Sequence, residues 1–185
     1  MGSATPEAAI RAFLTARSLV LTRRQAPGTV GWTAETSTGG LGAMPESIRF
    51  VRAHRLPGRE VHAVSLELPN GRFWRYICHA EQDAGGDWQL AGASGGSSDG
   101  LPARGQPWTH LGGGGWPKRF YAGGYMDDQS VARVRLTSAN GVVLDDTIDR
   151  GVALFIADGE VAVPIRAELY DARGTLIGEQ VAFQP

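Results

Sequence analysis

EVHAVSLELPNGRFWRYICHA, residues 60–80, is the stretch on which the fold of this chain turns. Two runs rich in β-branched and aromatic residues flank Pro69-Asn70-Gly71. Asn-Gly suits a type I′ turn, in which both central residues take positive φ, so the stretch is expected to be a β-hairpin. A two-residue Asn70-Gly71 loop pairs Pro69 with Arg72. Counting back sets Leu68 opposite Phe73, Leu66 opposite Arg75, Val64 opposite Ile77 and His62 opposite His79.

Working outward, residues 48–56 alternate apolar and basic side chains and read as a strand. With Pro57-Gly58-Arg59 as a three-residue loop, Leu56 pairs with Glu60 and His54 lies opposite His62. Downstream, Gly85-Gly86 marks a turn into a last strand at 87–93. Upstream, Thr5-Pro6-Glu7 has the form of a helix start: Thr as N-cap, Pro in the first turn, then an acid. Ile10, Phe13, Leu14 and then Val20 or Leu21 recur at helical spacing, predicting one amphipathic helix over 6–23, ended by Ala26-Pro27-Gly28. Residues 29–36 suit a short strand around Trp32, and 38–44 a loop. The first part, residues 5–95, is thus expected to be α+β, one helix packed on an antiparallel meander.

Residues 96–117 are rich in Gly, Pro and Ser and read as a linker, docked in part by Trp108 and Trp116. The rest, 118–185, is almost all strand signals: 119–122, 130–137, 142–147, 151–157, 163–170 and 175–183, with Asn140-Gly141 as a second hairpin turn. Short strands at this spacing predict a small all-β sandwich.

The chain has 185 residues, enough for one large domain or two small ones, and its 26 glycines favour turns and strand ends over long helices. A formal net charge of −1 supplies no field to attract nucleic acid. Of the 18 basic residues only Lys118 is lysine, so the basic groups are arginines. The single cysteine, Cys78, excludes an intrachain disulfide and reads as a small buried hydrophobe. No run approaches the length of a membrane span. No signal peptide is visible, and Met1-Gly2-Ser3 reads as a vector-derived scar. The expected location is therefore the cytoplasm or, with a leader removed, outside it.

Helix followed by a long antiparallel meander, over about 90 residues, resembles the nuclear-transport-factor-like or cystatin-like α+β cone in element order. That resemblance implies a scaffold used by small enzymes and by non-catalytic modules alike, and it carries no catalytic residue across. SVARVRL (130–136), Asn140-Gly141, GVALF (151–155), Pro164 and ELYDARG (168–174), with Leu176 and Ile177, resemble small immunoglobulin-like sandwiches of bacterial extracytoplasmic proteins. Among these are C-terminal portions of some anti-sigma factors. This resemblance covers residues 119–183 and implies a sensor or adaptor context outside the cytoplasm.

The chemical lead lies in the hairpin register. It places His54, His62 and His79 in one row across three strands, with Arg52 and Arg75 on the same face. Neighbouring imidazoles bind zinc-like metals or act as acid and base near neutral pH, and the arginines suit an anion. The competing reading is that this face, which also carries Ile48, Phe50, Val64, Leu66, Leu68, Phe73 and Ile77, is the core face under the helix. Other leads are weaker. Arg49, Arg52, Arg55 and Arg59 suit a charged edge strand. Gly112–Gly115 lacks the Gly-Lys-Ser/Thr ending of a phosphate loop. Asp127, Asp128, Asp145, Asp146 and Asp149 are turn acids without EF-hand spacing. Ser94 and Ser97 lack a nucleophile elbow.

The resulting expectation is a non-catalytic binding, structural or signalling accessory module with no cofactor and no metal, partnered by another protein at a sheet edge or by a small molecule. The alternative is a small-molecule-binding or enzymatic cone with His54, His62, His79, Arg52 and Arg75 at its mouth.

Overall fold

A computed structural model of the chain describes residues 2–16, 41–97, 108–115 and 117–184. Among these residues one α-helix, α1 (Pro6–Thr15), precedes eleven strands: β1 (Arg49–Leu56), β2 (Arg59–Glu67), β3 (Phe73–Gln82), β4 (Trp88–Ser97), β5 (Trp108–Gly114), β6 (Tyr121–Met126), β7 (Arg133–Ser138), β8 (Val143–Thr147), β9 (Val152–Ile156), β10 (Ile165–Tyr170) and β11 (Leu176–Phe183). Among the described residues 57 % are in strands and 9 % are helical, which corrects the expected helix-packed α+β fold: the molecule is predominantly antiparallel β.

The strands form three sheets in the orders β1-β2-β3-β4, β5-β6-β9 and β11-β10-β7-β8. They stack in layers. On the first sheet, α1 buries Ile10 and Leu14 against Val64, Leu66, Tyr76, Cys78 and Ala80. Between the first and second sheets lie Val61, Ala63 and Ile77 with Tyr121, Tyr125, Val152, Leu154 and Ile156. Between the second and third sheets lie Phe120, Ala122, Phe155, Val134, Leu136, Ile165, Ala167 and Leu169, so these two sheets form a sandwich. The three-stranded sheet is covered on both faces, and every residue of β6 and β9 is buried. That is why YAGGYM and VALFI read as unbroken small-and-apolar runs rather than alternating ones.

The helix is as expected at its start, where the Thr5 hydroxyl accepts from the amide of Ala8 at 3.2 Å. It ends at Thr15, since Ala16 is extended with ψ 138°. The rest of the expected helix to Arg23 and the strand at 29–36 lie outside the described residues, as do residues 98–107 and Trp116 of the expected linker. The remainder of that linker differs from expectation. β4 continues to Ser97, which pairs with Trp74, and Trp108–Gly114 is β5, paired with β6. A glycine run resembles a linker in composition. Here it allows close packing: a Cβ on Gly113 would lie 2.6 Å from the Tyr121 carbonyl and 3.0 Å from the Phe183 ring.

Four hairpins share one loop design. Leu68/Arg72, Asp83/Asp87, Ser138/Val142 and Asp171/Thr175 each close a three-residue loop whose last member is a glycine at φ between 77° and 86°. This is a type I turn followed by a left-handed residue that forms a bulge.

Candidate functional site

That loop design corrects the register expected for β2 and β3. In a two-residue loop Pro69 would have to donate an amide hydrogen to Arg72, and proline has none. Leu68 donates instead, at 3.0 Å to the Arg72 carbonyl, while Pro69 occupies the first central position of the turn, where its fixed φ fits. Every pair shifts by one: His62 lies opposite Cys78, and His79 opposite Val61. The preceding loop is also one residue off, a two-residue Pro57-Gly58 turn that pairs Leu56 with Arg59 and His54 with Val61. A one-residue slip moves a side chain to the other face. The two slips cancel for His54 and His79, which share a face across Val61, and leave His62 alone on the opposite one. A bulge between Phe50 and Arg52 puts Arg52 opposite Ala63, on the His54 face. Arg75, opposite Ser65, joins them.

Four of the five expected residues thus meet on one face, and that face is packed against the second sheet. Its edge strand, β9, has a strand neighbour on one side only, and its outward backbone groups need partners. Arg52 donates to the Val152 carbonyl at 2.7 Å, His54 Nδ1 to the Leu154 carbonyl at 3.1 Å, and Arg59 to the Ala157 carbonyl at 2.9 Å. The Leu154 amide donates to Asp146 at 2.7 Å. Asp146 in turn holds Arg52 through two bonds of 2.6 and 2.7 Å. These side chains stand in for a missing strand. His79 stacks on Tyr121 at 4.8 Å, and Arg75 lies 4.9 Å over the Tyr125 ring. Burial, with Arg59 and Arg119 beside it, pushes the His79 imidazole down to about 4, so it is neutral and accepts from Arg59 Nε at 3.4 Å. Burial also pushes the Cys78 thiol up to about 12, as suits an inert packing residue.

His62 lies on the helix face, 1 % exposed, with Phe50 packed edge-on at 5.5 Å. Its Nε2 meets Glu60 Oε2 at 2.9 Å, and Glu7 of α1 completes a group whose ligand-type atoms all lie within 4.8 Å of one another. Arg55 lies between the carboxylates, with Nε 3.1 Å from Glu60 and a terminal nitrogen 3.9 Å from Glu7. Burial holds the His62 imidazole below its ordinary range, against the opposing pull of Glu60 and Glu7. Its Nδ1 is buried without a partner, so the His62–Glu60 pair has no second nitrogen facing solvent to pass a proton to a substrate. Glu7 and Glu60 escaped the sequence reading. Glu60-Val61-His62 carried a usable signal, because residues two apart on a strand share a face. Nothing local connects Glu7 to them.

The outermost sheet ends in β11, an eight-residue edge strand carrying one charge, Glu179, and no proline. Leu176, Ile177 and Val181 on it are 45–49 % exposed. Bulges at both ends leave a regular edge at residues 178–181. Beside that edge a cleft of about 430 Å³ is lined by Thr137, Arg166, Glu168, Glu179 and Val181. Among the described residues no helix is long and apolar enough to cross a membrane. No protein-family model matches the chain, and neither a curated protein nor a solved structure matches it.

Proposed function

We propose that this chain is a non-catalytic binding module that accepts an extended segment of a protein partner along β11. The observation that carries the reading is the exposed apolar trio Leu176, Ile177 and Val181 on an edge strand. Natural edges are ordinarily blunted by lysine, proline or inward charges, and β11 has only Glu179. Strand addition draws affinity from main-chain hydrogen bonds and specificity from pockets for alternate side chains, and the cleft beside β11 supplies such a pocket. The opposite charges of Arg166 and Glu168 in that cleft favour a peptide with polar as well as apolar side chains. The resemblance of residues 119–183 to small immunoglobulin-like sandwiches supports an adaptor role outside the cytoplasm. The polar residues of the inter-sheet layer serve packing, which leaves the surface as the place for recognition.

The test is selection from a library of extended peptides, followed by hydrogen exchange on the complex. Selected peptides should alternate apolar and polar residues, protect the backbone amides of residues 178–181, and lose binding to Val181→Lys. Protection elsewhere would refute the reading. So would a concentration-dependent dimer with the same amides protected, since the edge would then belong to a second copy.

A further inference from the structure

We propose that Glu7, Glu60 and His62 form a binding site for a zinc-class divalent cation, which ties helix α1 to strand β2. The proposal is independent of partner binding at β11, which lies on the far sheet.

The first observation is convergence. Three side chains from two elements bring their ligand-type atoms within 4.8 Å of one another. Zinc binds nitrogen and oxygen at about 2.0–2.2 Å, so tetrahedral ligands sit roughly 3.3–3.6 Å apart. His62 Nε2 and Glu60 Oε2, at 2.9 Å, are closer than that and need only separate by about 0.4–0.7 Å to admit the ion. The widest separation has to close by about 1 Å on this geometry. Glu7 can supply the movement, because its side chain is 38 % exposed whereas those of Glu60 and His62 are 12 % and 1 % exposed. Two ligands are therefore held by the core, and the third comes from the solvent side with an open coordination position next to it.

The second observation is what sits there now. Two carboxylates converge on one buried imidazole, and the cation between them is Arg55, whose side chain is 62 % exposed. Exposed ion pairs of this kind are weak, so the arginine can withdraw into water with little loss. A divalent ion in its place doubles the compensating charge and makes shorter contacts. The donor set selects among ions. An imidazole nitrogen disfavours calcium and magnesium, which take oxygen, and one nitrogen with two carboxylates suits zinc or manganese.

Two features weaken the site and set its expected affinity. His62 Nδ1 has no acceptor to orient the ring, and Glu7 lies in the first turn of α1, where the helix dipole is positive. Binding is therefore expected at a Kd on the order of micromolar rather than nanomolar.

The experiment uses the full chain, free of any histidine tag and stripped with a chelator. Calorimetric titration with zinc chloride should give one ion per chain. Cobalt(II) should produce visible absorption of a low-symmetry nitrogen–oxygen site. Glu7→Gln and Glu60→Gln should each weaken zinc binding about tenfold or more while far-UV circular dichroism stays unchanged. Arg55→Gln should tighten binding several-fold by removing the competing cation, an effect that a purely structural salt-bridge cluster would not produce. The proposal is overturned if zinc fails to saturate the protein below about 100 μM, far above the expected Kd. It is equally overturned if Glu7→Gln leaves zinc binding intact, which would place the ion on other histidines.

Discussion

Replacing Arg52 by alanine should destabilise the molecule far more than a surface arginine substitution does. Its guanidinium, 17 % exposed, makes a two-pronged ion pair with Asp146, 9 % exposed, and donates to the carbonyls of Thr147 and Val152. One side chain of β1 thereby ties the first sheet to β8 and to the edge of β9. Removing it leaves a nearly buried carboxylate with one remaining partner, the Leu154 amide, and leaves the Val152 carbonyl with only the Asp149 amide, at 3.2 Å. Breaking one half of a buried pair costs about 3–5 kcal/mol, and the residual exposure of Arg52 puts this case near the lower end, about 3 kcal/mol. For a chain of this length that corresponds to a fall in Tm of roughly 6–12 °C. Arg52→Lys keeps the charge but loses the fork, and should cost about 1–2 kcal/mol. The assay is thermal and urea unfolding of both variants, with Arg52→Met, Asp146→Leu and the Arg52→Met/Asp146→Leu double variant closing a cycle. In the double variant much of the loss should return, because no charge is stranded. An Arg52→Ala protein that melts within about 2 °C of the parent would refute the reasoning, since it would show that the pair carries no net stabilisation.

Two further outcomes follow from the inter-sheet layer. The His79 value near 4 lies below an unfolded value of 6.5, so the unfolded chain takes up this proton first as the pH falls. Its contribution is complete above about pH 6.5 and is lost as the pH falls toward 4, by up to about 3 kcal/mol. Urea unfolding at about pH 7.5 and about pH 4.5 should therefore show a shallower pH dependence in His79→Gln than in the parent, and equal slopes would contradict the assignment. Gly123 lies where the first two sheets meet: a Cβ there would be 2.6 Å from Leu154 Cδ2 and 3.0 Å from Ile77 Cδ1. Gly123→Val should cost about 2–3 kcal/mol by forcing these sheets apart, and a variant as stable as the parent would show that the layer is loosely packed.

Most strands were legible in the sequence, because alternation and turn chemistry are local. Residues 48–56, 142–147, 151–157, 163–170 and 175–183 all contain the strands found there, to within a few residues. Fold class was not legible. The glycines of β5 carry no strand signal of their own and form one because Tyr121 and Phe183 leave room for nothing larger. The helix, expected to be a main layer, covers one side of a molecule whose other layers are all sheet. The candidate residues divide in the same way. Arg52, His54, Arg75 and His79 were identified together and do share a face. Their use as partners for the β9 edge depends on residues about 100 positions away, such as Val152, Leu154 and Asp146.

The hairpin at residues 60–80 shows where the division falls. Its existence, its two strands and the position of its turn follow from β-branched runs around Pro69-Asn70-Gly71, and those are properties of neighbouring residues. The loop length also had a local cause, the missing amide hydrogen of Pro69, which sets the register at Leu68/Arg72 and separates His62 from His79. What each face of the hairpin meets was decided by the tertiary structure alone. Helix α1 brings Glu7 to His62 and Glu60 on one side, and β9 brings its outward carbonyls to Arg52 and His54 on the other. A strand's alternation says which side chains point together; only packing says whether they face a helix, a second sheet or water.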